Sequence, residues 1–261
     1  MTSSLATNQL ASVAALVDVR LNLGGRQILD GLTLDLTEGS KTALLGESSC
    51  GKSVALKTLV GLFAPQEGQV FLFGEELATT NRQTLTALRR RLGMQFQAGA
   101  LFDSTSVRLN LVMASEESFR GDGRKKTALS EAIIDLLNQV GLKEAAELFP
   151  ASLSGGMRKR VALARVLIGD PELAIFDEPT AGLDPQTSSR IINLLNDLAQ
   201  KSQAAMILAT TDPDVARRFT ENILLMKDGR IYAQGSLKTL KELGDPYIDH
   251  YFSRLPKTEK S

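Results

Sequence analysis

An α/β fold with a mainly parallel sheet and an inserted helical segment is what this sequence predicts, on three observations. Short apolar runs recur at Lys41 to Leu45, Leu173 to Phe176, Ala204 to Thr210 and Ile223 to Met226, and unbroken apolar runs suit strands covered on both faces. Most of them are followed within a few residues by Gly, Asp or Pro, which end strands. Between roughly Gly99 and Gly169 the strand signal stops and helical spacing replaces it, as in Ile133, Leu136, Leu137 and Val140, which share one helix face.

Composition narrows the class. The chain has 261 residues, 43% hydrophobic and 23% charged, an ordinary globular balance with ample material for a buried core. Its longest apolar run, Ala204 to Ala209, is far short of the roughly 18 to 20 residues a membrane span needs. Thirty basic against thirty acidic residues leave no net charge, so no nucleic-acid partner is expected and any basic surface must be local. A single cysteine, Cys50, excludes an internal disulfide and a cysteine-based zinc site. Met1 to Leu10 carries no basic segment followed by an apolar one, and both facts favour the cytosol. The expected organisation is a disordered lead over 1–12, a core over 13–98 and 166–240, a helical subdomain over 99–165, and a C-terminal extension over 241–261. Within it, Gly121 to Lys126 is expected as a solvated loop.

Chemistry enters at Gly46-Glu47-Ser48-Ser49-Cys50-Gly51-Lys52-Ser53, directly after the apolar Thr42 to Leu45. It matches G-x-x-x-x-G-K-[ST], the P-loop of nucleoside triphosphatases. A tight turn lets successive backbone N–H groups point at a phosphate, the helix that follows adds its positive end, Lys52 reaches the outer phosphates, and the Ser53 hydroxyl ligates Mg²⁺. ATP and Mg²⁺ are the expected ligands. The helix start and Lys52 would also favour the Cys50 thiolate, giving a reactive thiol that nucleotide protects; the alternative is a buried, inert one. The second element is Leu173-Ala174-Ile175-Phe176-Asp177-Glu178, a buried strand ending in two carboxylates. Strand neighbours point oppositely, so Asp177 can serve Mg²⁺ while Glu178 polarises the attacking water.

Leu153-Ser154-Gly155-Gly156-Met157, leading into the helical stretch Arg158 to Leu167, separates the chain from kinases and small GTPases. With it the sequence resembles the ATP-binding subunits of ABC transporters, from about Leu16 to Gly235. That resemblance implies a P-loop ATPase core and a head-to-tail dimer in which Ser154, Gly155 and Gly156 bind the γ-phosphate of ATP held by the other subunit. It also implies that Gln97 is a Mg²⁺-sensing glutamine contacting a membrane permease, and that Ala181-Gly182-Leu183-Asp184 is the D-loop. Phe96-Gln97-Ala98-Gly99-Ala100-Leu101-Phe102 and Asp245 to Phe252 look more narrowly like the Mla-type, MCE-associated ATPases of phospholipid transport. The implied partners are a second copy, integral membrane permease subunits and an MCE-domain lipid-binding protein, with the chain peripheral on the cytoplasmic face of the inner membrane. Leu101 and Phe102 would form an exposed patch for the permease.

Two positions depart from the family pattern. The adenine-stacking aromatic falls on Leu21, an aliphatic that covers a base without stacking. The switch histidine falls on Thr211, whose hydroxyl donates one hydrogen bond but carries no charge. His250 is the chain's one histidine and is expected to be a surface or packing residue. Glu178, Gln97 and Thr211 are therefore the catalytic candidates. Two alternatives stay open: Thr211 merely caps the following helix, or the chain is a regulatory subunit with little hydrolysis.

Overall fold

Alternating leucines and polar residues at the start of the chain build a hairpin rather than a both-sides-buried strand. β1 (Ser12–Leu23) and β2 (Arg26–Thr37) pair antiparallel, with Leu16 opposite Leu34 and Leu21 opposite Leu29. Gly24 and Gly25 join them, both at positive φ (57° and 80°), as a two-residue primed turn requires. β3 (Lys41–Gly46) follows, then α1 (Lys52–Leu59), β4 (Glu67–Leu72) and β5 (Glu75–Glu76). The hairpin and the last two form a four-stranded sheet in the order β2-β1-β4-β5. The computed structural model describes residues 12–95, 101–119, 125–253 and 255. It separates into two units, Met1–Thr80 with Ile207–Ser261 and Asn81–Met206.

The second unit runs α2 (Arg82–Arg89), β6 (Leu92–Gln95), α3 (Val107–Phe119), α4 (Lys125–Gln139), α5 (Gly155–Leu167), β7 (Leu173–Asp177) and α6 (Pro185–Lys201). Asn81 starts α2 by accepting from Gln83 N and Thr84 N, both at 2.9 Å. β6 and β7 are parallel, Leu92 beside Leu173 and Gln95 beside Phe176. A two-pronged Arg91–Glu172 pair at 2.5 and 2.6 Å closes their start. The helical-spacing residues Ile133, Leu136, Leu137 and Val140 are all buried, in one cluster with Val107, Leu111 and Val161. The expected helical segment 99–165 thus lies inside this unit, which also takes in α2, β6, β7 and α6.

The chain leaves that unit within β8 (Ala205–Thr210) and continues through α7 (Pro213–Phe219), β9 (Ile223–Lys227), β10 (Arg230–Gly235), α8 (Leu237–Glu242) and α9 (Pro246–Phe252). In the first unit the strands stand in the order β10-β9-β3-β8, β9 parallel to β3 and β10 antiparallel to β9. β3 and β8 are buried along almost their whole length, as their apolar runs predict. The disordered lead falls outside the described residues except for Ser12, which opens β1; most of the 121–126 loop and the end of the C-terminal extension fall outside them as well. Among the described residues no helix is long and apolar enough to cross a membrane.

One turn ties this unit together. Asp228 and Gly229 link β9 to β10 at φ 47° and 76°. Gly229 N donates to the Cys50 carbonyl at 3.1 Å, and its own carbonyl accepts from Asp30 N at 3.1 Å. Arg230 pairs with the Asp30 carboxylate beside it. A Cβ on Gly229 would stand 2.5 Å from the Ile28 carbonyl oxygen, which is backbone and cannot yield. Gly229→Ala is therefore expected to lose about 2 kcal/mol or more of stability by urea unfolding. An unchanged midpoint would contradict the close approach.

Candidate functional site

The candidate residues fall in both units, and those of each unit are built within it. β3 ends at Gly46, where a Cβ would lie 2.5 Å from the Met226 carbonyl oxygen. Glu47, Ser48 and Ser49 are exposed, and Ser49 turns at φ 66°. Gly51 sits at φ 110° as the N-cap of α1 and, being glycine, brings no capping side chain. A helix start without a capping side chain is an arrangement that an anion can complete. Lys52 is 5% exposed, and its ammonium donates to the Gly46 and Glu47 carbonyls at 2.7 and 2.9 Å. Ser53 stands half-buried on the first turn of α1. Glycine backbone, open helix start, buried ammonium and hydroxyl form a set that fits a Mg²⁺-bound polyphosphate.

Cys50 turns the other way. Its Sγ is 2.7 Å from where a Gly46 Cβ would be, so it packs under the end of β3 rather than toward the open loop. Burial pushes its thiol above the ordinary value, against the opposing pull of Lys52. The expected low-pKa, reactive thiol is corrected here: desolvation outweighs the nearby charge.

In the second unit, Asp177 ends β7 at 1% exposure and Glu178 follows at 9%. Glu178 has φ 51°, an unfavourable conformation for a residue with a Cβ. Lys159 of α5 steadies this turn. Its ammonium bonds the Ala181 carbonyl and lies 3.5 Å from the Glu178 carbonyl oxygen. Burial lowers the Lys159 pKa while the Glu178 charge acts to raise it. Asp184 caps α6 by accepting from Thr187 N at 2.9 Å, and Thr187 holds its carboxyl below the usual carboxylate range. Lys159 was not legible as a site residue, because its partners are carbonyls brought near only by the fold.

Ser154 is the N-cap of α5, its hydroxyl accepting from Met157 N at 3.2 Å. A Cβ on Gly155 would meet nothing within 4 Å, so the helix start is open on that side. Leu153 is buried at 4%, and Arg158 donates to its carbonyl at 2.7 Å, fixing the chain just before the cap.

The remaining candidates divide. Gln97 lies outside the described residues. Gln95, on β6, is 3% exposed, and its Oε1 has no hydrogen-bond partner among them. Leu21 is 2% exposed on the inward side of β1, in the leucine core, so it offers no face to a base; the adenine-covering role is corrected on that ground. Thr211 is half-buried after β8 and does not cap α7, because Asp212 does, accepting from Asp214 N at 2.8 Å. The capping alternative is thereby removed. His250 is exposed on α9. Phe102 is 45% exposed with Arg165 over its ring at 5.2 Å, whereas Leu101 packs partly into the helical core and is not part of an exposed patch. Buried Asn110 grips that loop, accepting from Phe102 N at 2.8 Å and donating to its carbonyl at 3.1 Å.

Residues 29–181 match the family model described as ABC transporter. The chain is 33% identical over 92% of its length, and 89% of the relative's, to the intermembrane phospholipid transport system ATP-binding protein MlaF of Escherichia coli. It is 35% identical to the methionine import ATP-binding protein MetN of Mesorhizobium japonicum, over 91% of this chain but 63% of that longer one. Among solved structures, a dimeric ATP-binding cassette in a post-hydrolysis state with ADP and Pi superposes with TM-score 0.77 at 28% identity, covering 85% of this chain and 98% of that one. The cbiO1 subunit of Clostridium perfringens does so with TM-score 0.78 at 28% identity, covering 95% and 97%.

The packing of Cys50 has a direct readout. At pH 7 maleimide is expected to label the native chain at least about tenfold more slowly than the urea-unfolded chain, with the rate rising only at more alkaline pH, because a raised thiol pKa leaves less thiolate at neutrality. Equal native and unfolded rates at pH 7 would contradict the burial.

Proposed function

From the premise that this chain belongs to the ABC transporter family as an ATP-binding, ATP-hydrolysing cassette, we propose that it binds Mg·ATP at Gly46 to Ser53 and drives a separate membrane permease. The observation that carries this is the phosphate cradle: an open helix start at Gly51 and a Lys52 ammonium buried against its own loop carbonyls. When ATP enters, its phosphates present oxygens that Lys52 and the loop amides take as partners in place of those carbonyls. Ser53, Asp177 and Gln97 would hold Mg²⁺, which neutralises charge on the phosphates. Glu178 polarises the attacking water, and Thr211 contributes a hydroxyl donor on the γ-phosphate side. Ser154, Gly155 and Gly156 offer an open helix start to the nucleotide of a second copy, so the working unit is a dimer.

The permease docks on the loop at Phe102. A half-exposed aromatic gripped by buried Asn110 and flanked by Arg165 suits an interface rather than solvent. Intermembrane phospholipid transport is the cargo reading we favour. It rests on the MlaF likeness over most of both chains and on the Ala-Gly-Ala-Leu-Phe run that ends at Phe102; an MCE-domain lipid-binding protein would then complete the assembly. A regulatory, weakly hydrolysing subunit is the second reading, favoured by threonine rather than histidine at 211.

Two substitutions test the proposal. Lys52→Ala removes two charge-assisted contacts to phosphate and is expected to weaken ATP binding by roughly a hundredfold in calorimetric titration. Glu178→Gln is expected to keep binding, lower kcat by about 10² to 10⁴, and accumulate a dimer with ATP on size-exclusion. A Lys52→Ala chain binding ATP like the wild type would remove the cradle reading. Wild-type turnover already at the Glu178→Gln level would favour the regulatory subunit.

A further inference from the structure

The chain contains three tyrosines, and the fold gathers all of them at α9. Tyr232 of β10 meets Tyr247 edge-on at 5.4 Å between ring centroids, and Tyr247 meets Tyr251 at 6.1 Å. Tyr251 in turn meets Phe252 at 5.9 Å. The Lys227 ammonium stands 4.1 Å from the Tyr247 centroid and 4.9 Å from that of Tyr232. Asp245 caps the helix, accepting from Tyr247 N at 2.8 Å and Ile248 N at 3.1 Å, and also accepts from the Tyr232 hydroxyl at 2.6 Å. A seven-residue helix fixed by a cap, a ring chain and a cation is held far more firmly than its length requires.

Its two tyrosines reach nucleotide-loop elements of the same unit. Tyr247 lies near Glu47, Cys50 and Asp228; burial first, then those neighbours, push its hydroxyl up to about 12, so it stays neutral. Tyr251 is 1% exposed, and its hydroxyl donates to the Thr211 carbonyl at 2.9 Å. On the other side of that residue, Asp212 N donates to the Thr210 hydroxyl at 3.0 Å. The backbone around Thr211 is therefore pinned from both sides, and the Thr211 side chain takes no part in the α7 cap. If Tyr251 served packing alone, phenylalanine would fill the same space.

We propose that Tyr251 is a positioning residue for ATP hydrolysis: α9 delivers its hydroxyl to the Thr211 carbonyl and so fixes the switch threonine. The proposal rests on the reading of Thr211 as the γ-phosphate donor. It makes the C-terminal extension a brace for the nucleotide site of its own chain, acting through one hydrogen bond.

Tyr251→Phe in the full-length protein tests it, because only the hydroxyl is lost. Steady-state ATPase is expected to show kcat lower by roughly 3- to 10-fold with KM for ATP within about twofold, the scale of one neutral hydrogen bond. The melting temperature should stay within about 2 °C. In a Thr211→Ala background the same substitution should have no further effect on kcat, since the group being positioned is gone. Hydrogen exchange over residues 208–215 should lose protection in Tyr251→Phe whether or not the protein turns over. Unchanged kcat, a kcat loss that persists in the Thr211→Ala background, or unchanged exchange each overturns the brace. Absent hydrolysis in the wild type would instead count against the function proposed above, and the exchange measurement would still decide the role of Tyr251.

Discussion

A buried ammonium needs oxygen partners, and the placement of Lys52 organises the first unit around that need. At 5% exposure its charge is satisfied by the carbonyls of Gly46 and Glu47, so the loop must curl back over its own lysine. That curl needs Gly51 at φ 110° and leaves no room for a Cβ at Gly46, where Met226 of β9 presses from behind. The Gly229 turn holds the loop from outside through the Cys50 carbonyl. The Gly51 turn, the bare Gly46 and the packing of Cys50 under β3 all accommodate that one buried cation.

Two of the strained non-glycine residues, Ser49 and Glu178, stand where the family pattern puts chemistry. Glu178 adopts a positive φ directly after a fully buried strand, and a lysine one turn into α5 bonds the carbonyls that follow. The same device recurs at Thr211, whose carbonyl is taken by a buried tyrosine. In both places a side chain distant in sequence bonds backbone rather than another side chain.

What the sequence revealed and what it hid divide along physical lines. The strands β3, β7, β8 and β9 were legible because both of their faces are apolar, and α4 because its apolar residues keep helical spacing. The P-loop, the carboxylate pair and Ser154 were legible because their chemistry depends on local order along the chain. The β1–β2 hairpin was less so, since one-sided burial looks polar in a short window. Leu21 was misjudged because register decides which side of a strand faces inward. Cys50 was misjudged because its burial, which raises its pKa, is set by how the loop packs under the end of β3. Lys159 and Tyr251 could not be found by motif at all: their roles exist only once a carbonyl is placed beside them.

In the proposed function, recognition is carried by phosphate against backbone and Lys52, with no aromatic from the position of Leu21 to grip the base. Calorimetric titration of the full-length chain with ATP and with AMP, both with Mg²⁺, compares ligands that share a base and sugar and differ in the phosphates the cradle holds. ATP is expected to bind at least about a hundredfold more tightly than AMP, the scale of two charge-assisted contacts. Comparable affinities would contradict it, because binding would then be carried by the base and sugar, for which the structure places no stacking group at Leu21.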